Sequence, residues 1–271
     1  MSFKRTLALF TGMLFVMVLL SILALFGKLG ASDIVKNIFS EEIRYSLMLS
    51  VVTGFISTIM VVISAIPVAY FFSRYSMPGL KIIKTILYLP MAFPEIVLGL
   101  CLLLLFGHPV IKQFLSAFGI SVVFSKTGIV VAQYFTALPY AISTLTTVFS
   151  EVDMQQELVS RSLGYSQLQT IRHVTLPLAK KGIAAATTIV FARCVGAFGS
   201  VLILAGGSRM SSETLPISLY LNLSYGNMDM AITSGLVLVF IAFAGLFAIE
   251  IIEGNISAGA KESSCINRWG N

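Results

Sequence analysis

Charge is what this sequence has least of. Only 11% of its 271 residues are Asp, Glu, Lys or Arg, where a water-soluble domain carries about 25%. That shortfall excludes an ordinary solvated domain. The three cysteines, Cys101, Cys194 and Cys265, lie far apart, which leaves neither a disulfide framework nor a thiolate metal site. The two histidines, His108 and His173, stand singly in separate connections, so no metal is expected. Gly206-Gly207-Ser208 lacks the lysine and following hydroxyl of a phosphate-cradling loop, and no H-E-x-x-H or nucleophile-elbow pattern occurs. With no cluster of nucleophile, base or metal ligands, a polytopic membrane enzyme is disfavoured. Any nucleotide hydrolysis falls to another chain.

What fills the sequence instead is apolar length: 57% of residues are hydrophobic and the mean hydropathy is +0.93. A hydrocarbon core of ~30 Å takes about 20 helical residues to cross. Six runs satisfy this: Thr6–Phe26, Ser46–Phe72, Ile86–Phe106, Gly128–Phe149, Gly182–Ala205 and Ile232–Ile252. They are continuous rather than alternating, which predicts an all-α membrane protein with six transmembrane helices and excludes a β-barrel. The first run follows Lys4 and Arg5 like a signal peptide, but it is too long and lacks a clean cleavage site, so it is read as a retained helix. Basic residues near span ends stay cytoplasmic. An inside N-terminus puts eleven of them in the cytoplasm (among them Arg74, Lys81, Lys84, Arg161, Arg172, Lys180 and Lys181) against six outside, including Arg44, Lys112, Lys126 and Arg209. Both termini are then cytoplasmic. The net charge of +6 reflects this bias and calls for no nucleic-acid partner. The whole chain forms one transmembrane domain, with a polar tail over residues 253–271.

The least membrane-like segment is Ser150–Lys181, between spans four and five. Ser150 followed by Asp153 predicts one helix start, with a helix to about Leu163. Gly164 permits the left-handed backbone that stops it. Ser166 and Gln169 predict a second capping box, and Pro177 is expected to end or kink the helix that follows. Two short helices at an angle, hung between two spans, have the form of a docking element. An ordinary interfacial loop is the plainer alternative.

Within the spans, Glu95 sits among Pro90, Pro94 and Gly99, and Arg193 precedes Gly196, Gly199 and Ser200. Charged groups at membrane depth face a cavity or a partner. These residues are therefore candidates for a translocation path, or else Glu95 and Arg193 form a buried pair or polar glue between helices. Glu250, near the end of span six, can snorkel to water.

The loop resembles the so-called EAA loop of ABC importer permeases. Gly164, nine residues and then Val174-Thr175-Leu176-Pro177 match its second half. In the first half, Leu158-Val159-Ser160 stands where Glu-Ala-Ala is usual, with Glu157 one place early. Leu89–Pro94 with Val97-Leu98-Gly99, then Leu102–Gly107, Thr127–Val130, Phe191–Ser200 and Thr214–Tyr220 are similar to molybdate and sulfate permeases. Ala197 takes the position of an expected glutamate. The resemblance implies a type I ABC importer permease architecture. It makes Glu157, Ser160, Arg161, Leu163, Gly164, Tyr165, Ser166, Leu176 and Pro177 the loop that docks on ATPase subunits. It also implies a second permease copy, identical or related, an extracytoplasmic substrate-binding protein, and ATP and Mg held by the ATPase rather than by this chain. The implied substrate is a small oxyanion such as molybdate, tungstate or sulfate. Polyamine, ferric-iron or phosphonate import, and a proton-coupled carrier using Glu95, are the alternatives.

Overall fold

The computed structural model describes residues 3–26, 31–245 and 247. The polar tail, Glu250, Cys265, Lys28 and the end of the sixth apolar run lie outside the described residues. Every regular element among the described residues is helical.

The first run forms α1 (Phe3–Phe26), of which Phe3–Ala24 have no residue buried against the other described residues. A short α2 (Ala31–Ile38) leads to α3 (Glu41–Arg74), 34 residues or about 51 Å of helix. Ser40 caps α3 by accepting the Ile43 N–H, and Glu41 and Glu42 place negative charge at its positive end. One face of α3 carries small and hydroxyl residues, with Ser50, Thr53, Gly54, Ser57, Thr58, Ala65 and Ala69 all buried. Small side chains let membrane helices approach closely, and hydroxyls bond across them. Against this face pack α7 (Lys126–Glu151) and α10 (Leu176–Gly196). Ser57 donates to Gln133 Oε1 at 2.9 Å, and Val61, Ile142, Leu145, Phe149, Val190 and Cys194 fill the core between the three helices. The opposite faces present large apolar side chains outward, such as Phe55, Ile59 and Ile63, as lipid requires.

The third apolar run is not one helix. It divides into α4 (Leu80–Ala92) and α5 (Glu95–Gly107), bent by 113° at Phe93-Pro94. Proline disfavours helix at the residue before it and removes a donor, so the chain turns there, whereas Pro90 is carried inside α4. Each piece is about 20 Å long, too short to cross alone. After the short α6 (Pro109–Ala117), Ser125 caps α7. The fifth run is broken too: α10 ends at Gly196, and α11 (Gly199–Ala205) restarts after Ala197-Phe198. A loop over residues 206–214 leads to α12 (Leu215–Ser224) and then α13 (Met228–Gly245).

The segment between α7 and α10 differs from expectation in two ways. Ser150 lies inside α7, donating to the Thr146 carbonyl, and Asp153 is the cap that starts α8 (Met154–Ser162). Carboxylate and hydroxyl compete for the same role, and α7 runs one residue past the hydroxyl, to Glu151. The Ser166–Gln169 capping box is present and starts α9 (Gln167–Thr170). Pro177 does not end that helix. A π turn over Ile171–Thr175 carries it directly into α10, with the Leu176 N–H reaching back to the Ile171 carbonyl. A proline ring crowds the carbonyl four residues before it, and the wider turn gives it room.

Candidate functional site

Two regions hold the chemistry-bearing residues. The first is the polar loop at the end of the bundle where α3 and α7 finish. Gly164 takes φ of +91°, which a side chain would resist, and reverses the chain between α8 and α9. Ser160 and Thr170, both buried, bring their hydroxyls to 3.3 Å and close the angle between the two helices.

Glu157 points inward. It is 7% exposed and accepts from Arg74 Nε at 3.1 Å and Nη2 at 2.8 Å, from the Tyr70 hydroxyl at 3.1 Å and from the Thr175 hydroxyl at 2.8 Å. Arg74 also donates to the Val152 carbonyl at 2.9 Å. One carboxylate thus ties the end of α3, the α7–α8 junction and the π turn together. Both guanidinium nitrogens converge on Oε1, while Oε2 takes the Tyr70 hydroxyl. With Glu157 spent inward, the outward face of the loop is apolar: Leu158, Val159, Leu163 (75% exposed), Tyr165 and Leu168 (76% exposed) are uncovered. Arg161 and Ser166 are exposed beside them, Leu176 is half-buried, and Pro177 is exposed at the start of α10. Gln167 bonds back to the Tyr75 hydroxyl just beyond α3.

The second region lies where the two broken spans meet. Glu95 does not pair with Arg193. Its Oε2 accepts the backbone N–H groups of Phe198 and Gly199, each at 3.0 Å, and so satisfies the start of α11. The two helices touch backbone to backbone. A Cβ on Gly199 would come within 2.9 Å of Ile96 N, and one on Gly99 within 2.9 Å of Ser200 Cα. Glycine is needed at both positions for that reason. Ser200 is buried, with its hydroxyl 2.8 Å from that of Thr136.

Arg193 lies over the Tyr140 ring, its guanidinium carbon 4.2 Å from the centroid, and makes no ion pair among the described residues. Glu95, Thr188, Ile189, Ala192, Arg193, Gly196 and Gly245 line a cavity of about 310 Å³. Of the predicted path residues, then, Glu95, Arg193 and Gly196 share this cavity. Pro94 shapes the break between α4 and α5, Pro90 lies within α4, and Gly199 and Ser200 are packed into the helix contact. Sequence patterns missed Arg74, Tyr70, Thr175 and Tyr140. Arg74 counted only as one cytoplasmic cation among many, and nothing local marks a partner 83 residues away.

Known proteins share this sequence and this shape. The family model described as a binding-protein-dependent transport system inner membrane component matches residues 65–261. A probable molybdenum ABC transporter permease protein of Haloferax volcanii is 35% identical over 247 residues, covering 91% of this chain and 89% of that protein. The molybdenum transport system permease protein ModB of Mycobacterium tuberculosis is 33% identical, covering 73% of this chain and 75% of its own length. The sulfate transport system permease protein CysT of Salmonella typhimurium is 28% identical, covering 92% of each. Among solved structures, a bacterial alginate ABC transporter in complex with its periplasmic protein has a chain that superimposes with a TM-score of 0.67 at 18% identity. The match covers 92% of this chain and 93% of that one, and shows the fold.

Proposed function

This chain belongs to the binding-protein-dependent transport system inner membrane components, and from that premise we propose that it carries a small tetrahedral oxyanion through the membrane under the drive of separate ATPase subunits. It is a multi-pass membrane permease of the ABC importer type. The observation that carries the rest is the inward turn of Glu157, which leaves an apolar, rigidly held ridge at the end of the bundle. A ridge of leucines on a polar connection is unfavourable in water and suits a groove on a protein partner.

The ridge lies on the side that the basic residues assign to the cytoplasm, since Arg74 and the Ser150–Lys181 segment meet there. Glu42 and Arg209 meet at the other end. Both termini are placed inside on the same grounds. ATP and Mg belong to the docked subunits. A second permease copy covers the outward faces, and an extracytoplasmic binding protein delivers the substrate at the Glu42 end.

An anion suits the cavity better than a cation does. Arg193 brings a positive charge to its wall, while the charge of Glu95 is taken up by two N–H groups. The molybdenum and sulfate relatives support the same class. The test is uptake into proteoliposomes holding this chain, its ATPase and its binding protein. ATP-dependent uptake of radiolabelled molybdate or sulfate is expected. Uptake of a polyamine in place of either anion overturns the substrate, and uptake driven by a proton gradient without ATP overturns the mechanism.

A further inference from the structure

The outer end of the bundle holds a polar seam that the transport reading does not use. Glu42, Ser46 and Ser50 recur every four residues on α3 and so face one way. Glu42 Oε1 accepts from Asn222 Nδ2 at 2.6 Å, and Ser50 Oγ accepts from the Leu215 N–H at 2.7 Å. Ser46, between them, therefore faces the middle of α12. There Ser218 stands, its hydroxyl 3.4 Å from both Asn222 Nδ2 and the Ser234 hydroxyl of α13. Glu213 enters from the outer loop, where its Oε2 accepts the Met210 N–H at 2.9 Å.

Ser46, Glu213, Thr214 and Asn222 are all fully buried or within 1% of it. Each nevertheless has an atom with no partner: Ser46 Oγ, Glu213 Oε1, Thr214 Oγ1 and Asn222 Oδ1. Among the described residues these are the only buried side-chain nitrogen or oxygen atoms left unsatisfied, and all four are oxygens, on α3, on α12 and on the two residues that lead into α12. Buried polar atoms are almost always paired, so these orphans call for a bound water or ion.

The charges say what. Arg209 is paired with Glu42, with Nη2 and Oε2 2.5 Å apart, and acts on the Glu213 carboxylate only as a lesser influence, without an ion pair to it. The donors are hard and oxygen-only, with no thiol or imidazole. One carboxylate among neutral oxygens is too little charge for a divalent ion, and no group of three acidic, histidine or cysteine ligands gathers among the described residues.

We propose that this seam binds a single alkali cation of sodium's size, held by Glu213 Oε1, Asn222 Oδ1, Ser46 Oγ and Thr214 Oγ1. The bound ion ties the outer loop to α3 and α12 and neutralises the buried carboxylate. Burial drives that carboxyl above its ordinary range, so proton and cation compete for the same oxygen.

The test is equilibrium binding of radioactive sodium to the full-length chain in lipid nanodiscs, with N-methylglucamine holding ionic strength constant. Saturable binding of one ion per chain is expected. It should weaken at least tenfold in Glu213→Gln and measurably in Ser46→Ala. Thermal unfolding of the wild type should move to higher temperature as sodium replaces N-methylglucamine. Absence of saturable binding in the wild type overturns the proposal, whether or not Glu213→Gln folds. Binding that is unchanged in Ser46→Ala and Glu213→Gln also overturns it, as does a wild-type melting temperature indifferent to sodium.

Discussion

Arg74, the last residue of α3, grips Glu157 of α8 through two guanidinium nitrogens at 3.1 and 2.8 Å, with both side chains under 10% exposed. Removing one member of a buried pair leaves the other charge stranded, at a cost of about 3–5 kcal/mol. Glu157→Ala and Arg74→Ala should each lower the melting temperature of the purified chain sharply. The double variant should lose less than the sum of the two. Equal and additive losses would mean that the pair carries no coupling.

The uncovered leucines predict the opposite profile. Leu163 is 75% exposed, so little of its side chain is buried against the described residues. Leu163→Asp should leave the melting temperature within about 0.5 kcal/mol of wild type. It should weaken ATPase association by a hot-spot amount of about 2 kcal/mol, roughly thirtyfold. Co-purification and titration of the ATPase in detergent measure both. Intact association would remove the ridge from the docking surface.

At the meeting of the broken spans, Gly99→Ala and Gly199→Ala each push a methyl to within 2.9 Å of neighbouring backbone. Overpacking of this kind costs about 1–3 kcal/mol. Gly196, with nothing within 4 Å of its would-be Cβ, is the control, and Gly196→Ala should unfold at the wild-type temperature.

Arg193 offers a charge and a plane. Arg193→Gln should cut anion uptake at least tenfold, about 1.4 kcal/mol, if that charge meets the substrate. Arg193→Lys keeps the charge but loses the flat contact with Tyr140, so an intermediate rate is expected. Wild-type uptake in both variants would leave Arg193 a packing role only.

Glu213 supplies a pH dependence. Burial raises its carboxyl above the ordinary 4.5, outweighing the hydrogen bond from the Met210 N–H that favours the ionised form. Between 4.5 and the raised value the folded chain therefore holds a proton that the unfolded chain has released. In sodium-free buffer its contribution to stability is greatest at low pH and declines as pH rises through that window. Subtracting the melting curve of Glu213→Gln from that of the wild type isolates the slope. A difference that rises with pH would contradict the assignment.

Much of this architecture was legible in the sequence because membrane spans are written in composition and helix stops in single residues. Gly164 and the Ser166–Gln169 box act locally, and the structure has both where the pattern puts them. The run Ile86–Phe106 read as one continuous span, because composition shows apolar length and not the 113° turn made at Pro94. Pairings at long range leave no local trace. Glu95 and Arg193 suggest a pair by sign alone, yet the carboxylate satisfies α11 and the guanidinium takes an aromatic face. Glu157 looked like a displaced member of an outward-facing motif, and its three side-chain partners lie on α3 and the π turn. The Ser150 cap failed because Asp153 offered an equivalent oxygen three residues later.

The carboxylate of Glu95 has one more consequence. It belongs to the first turn of α5 while closing the first turn of α11, so two half-length helices from different spans are yoked at a single side chain. Neither half reaches across the bilayer alone, and neither can tilt without dragging the other by its backbone. The same α10 runs from the π turn beside Glu157 to Gly196, two residues before the first of the N–H groups that Glu95 accepts, so one helix spans the distance between the leucine ridge and the yoked pair.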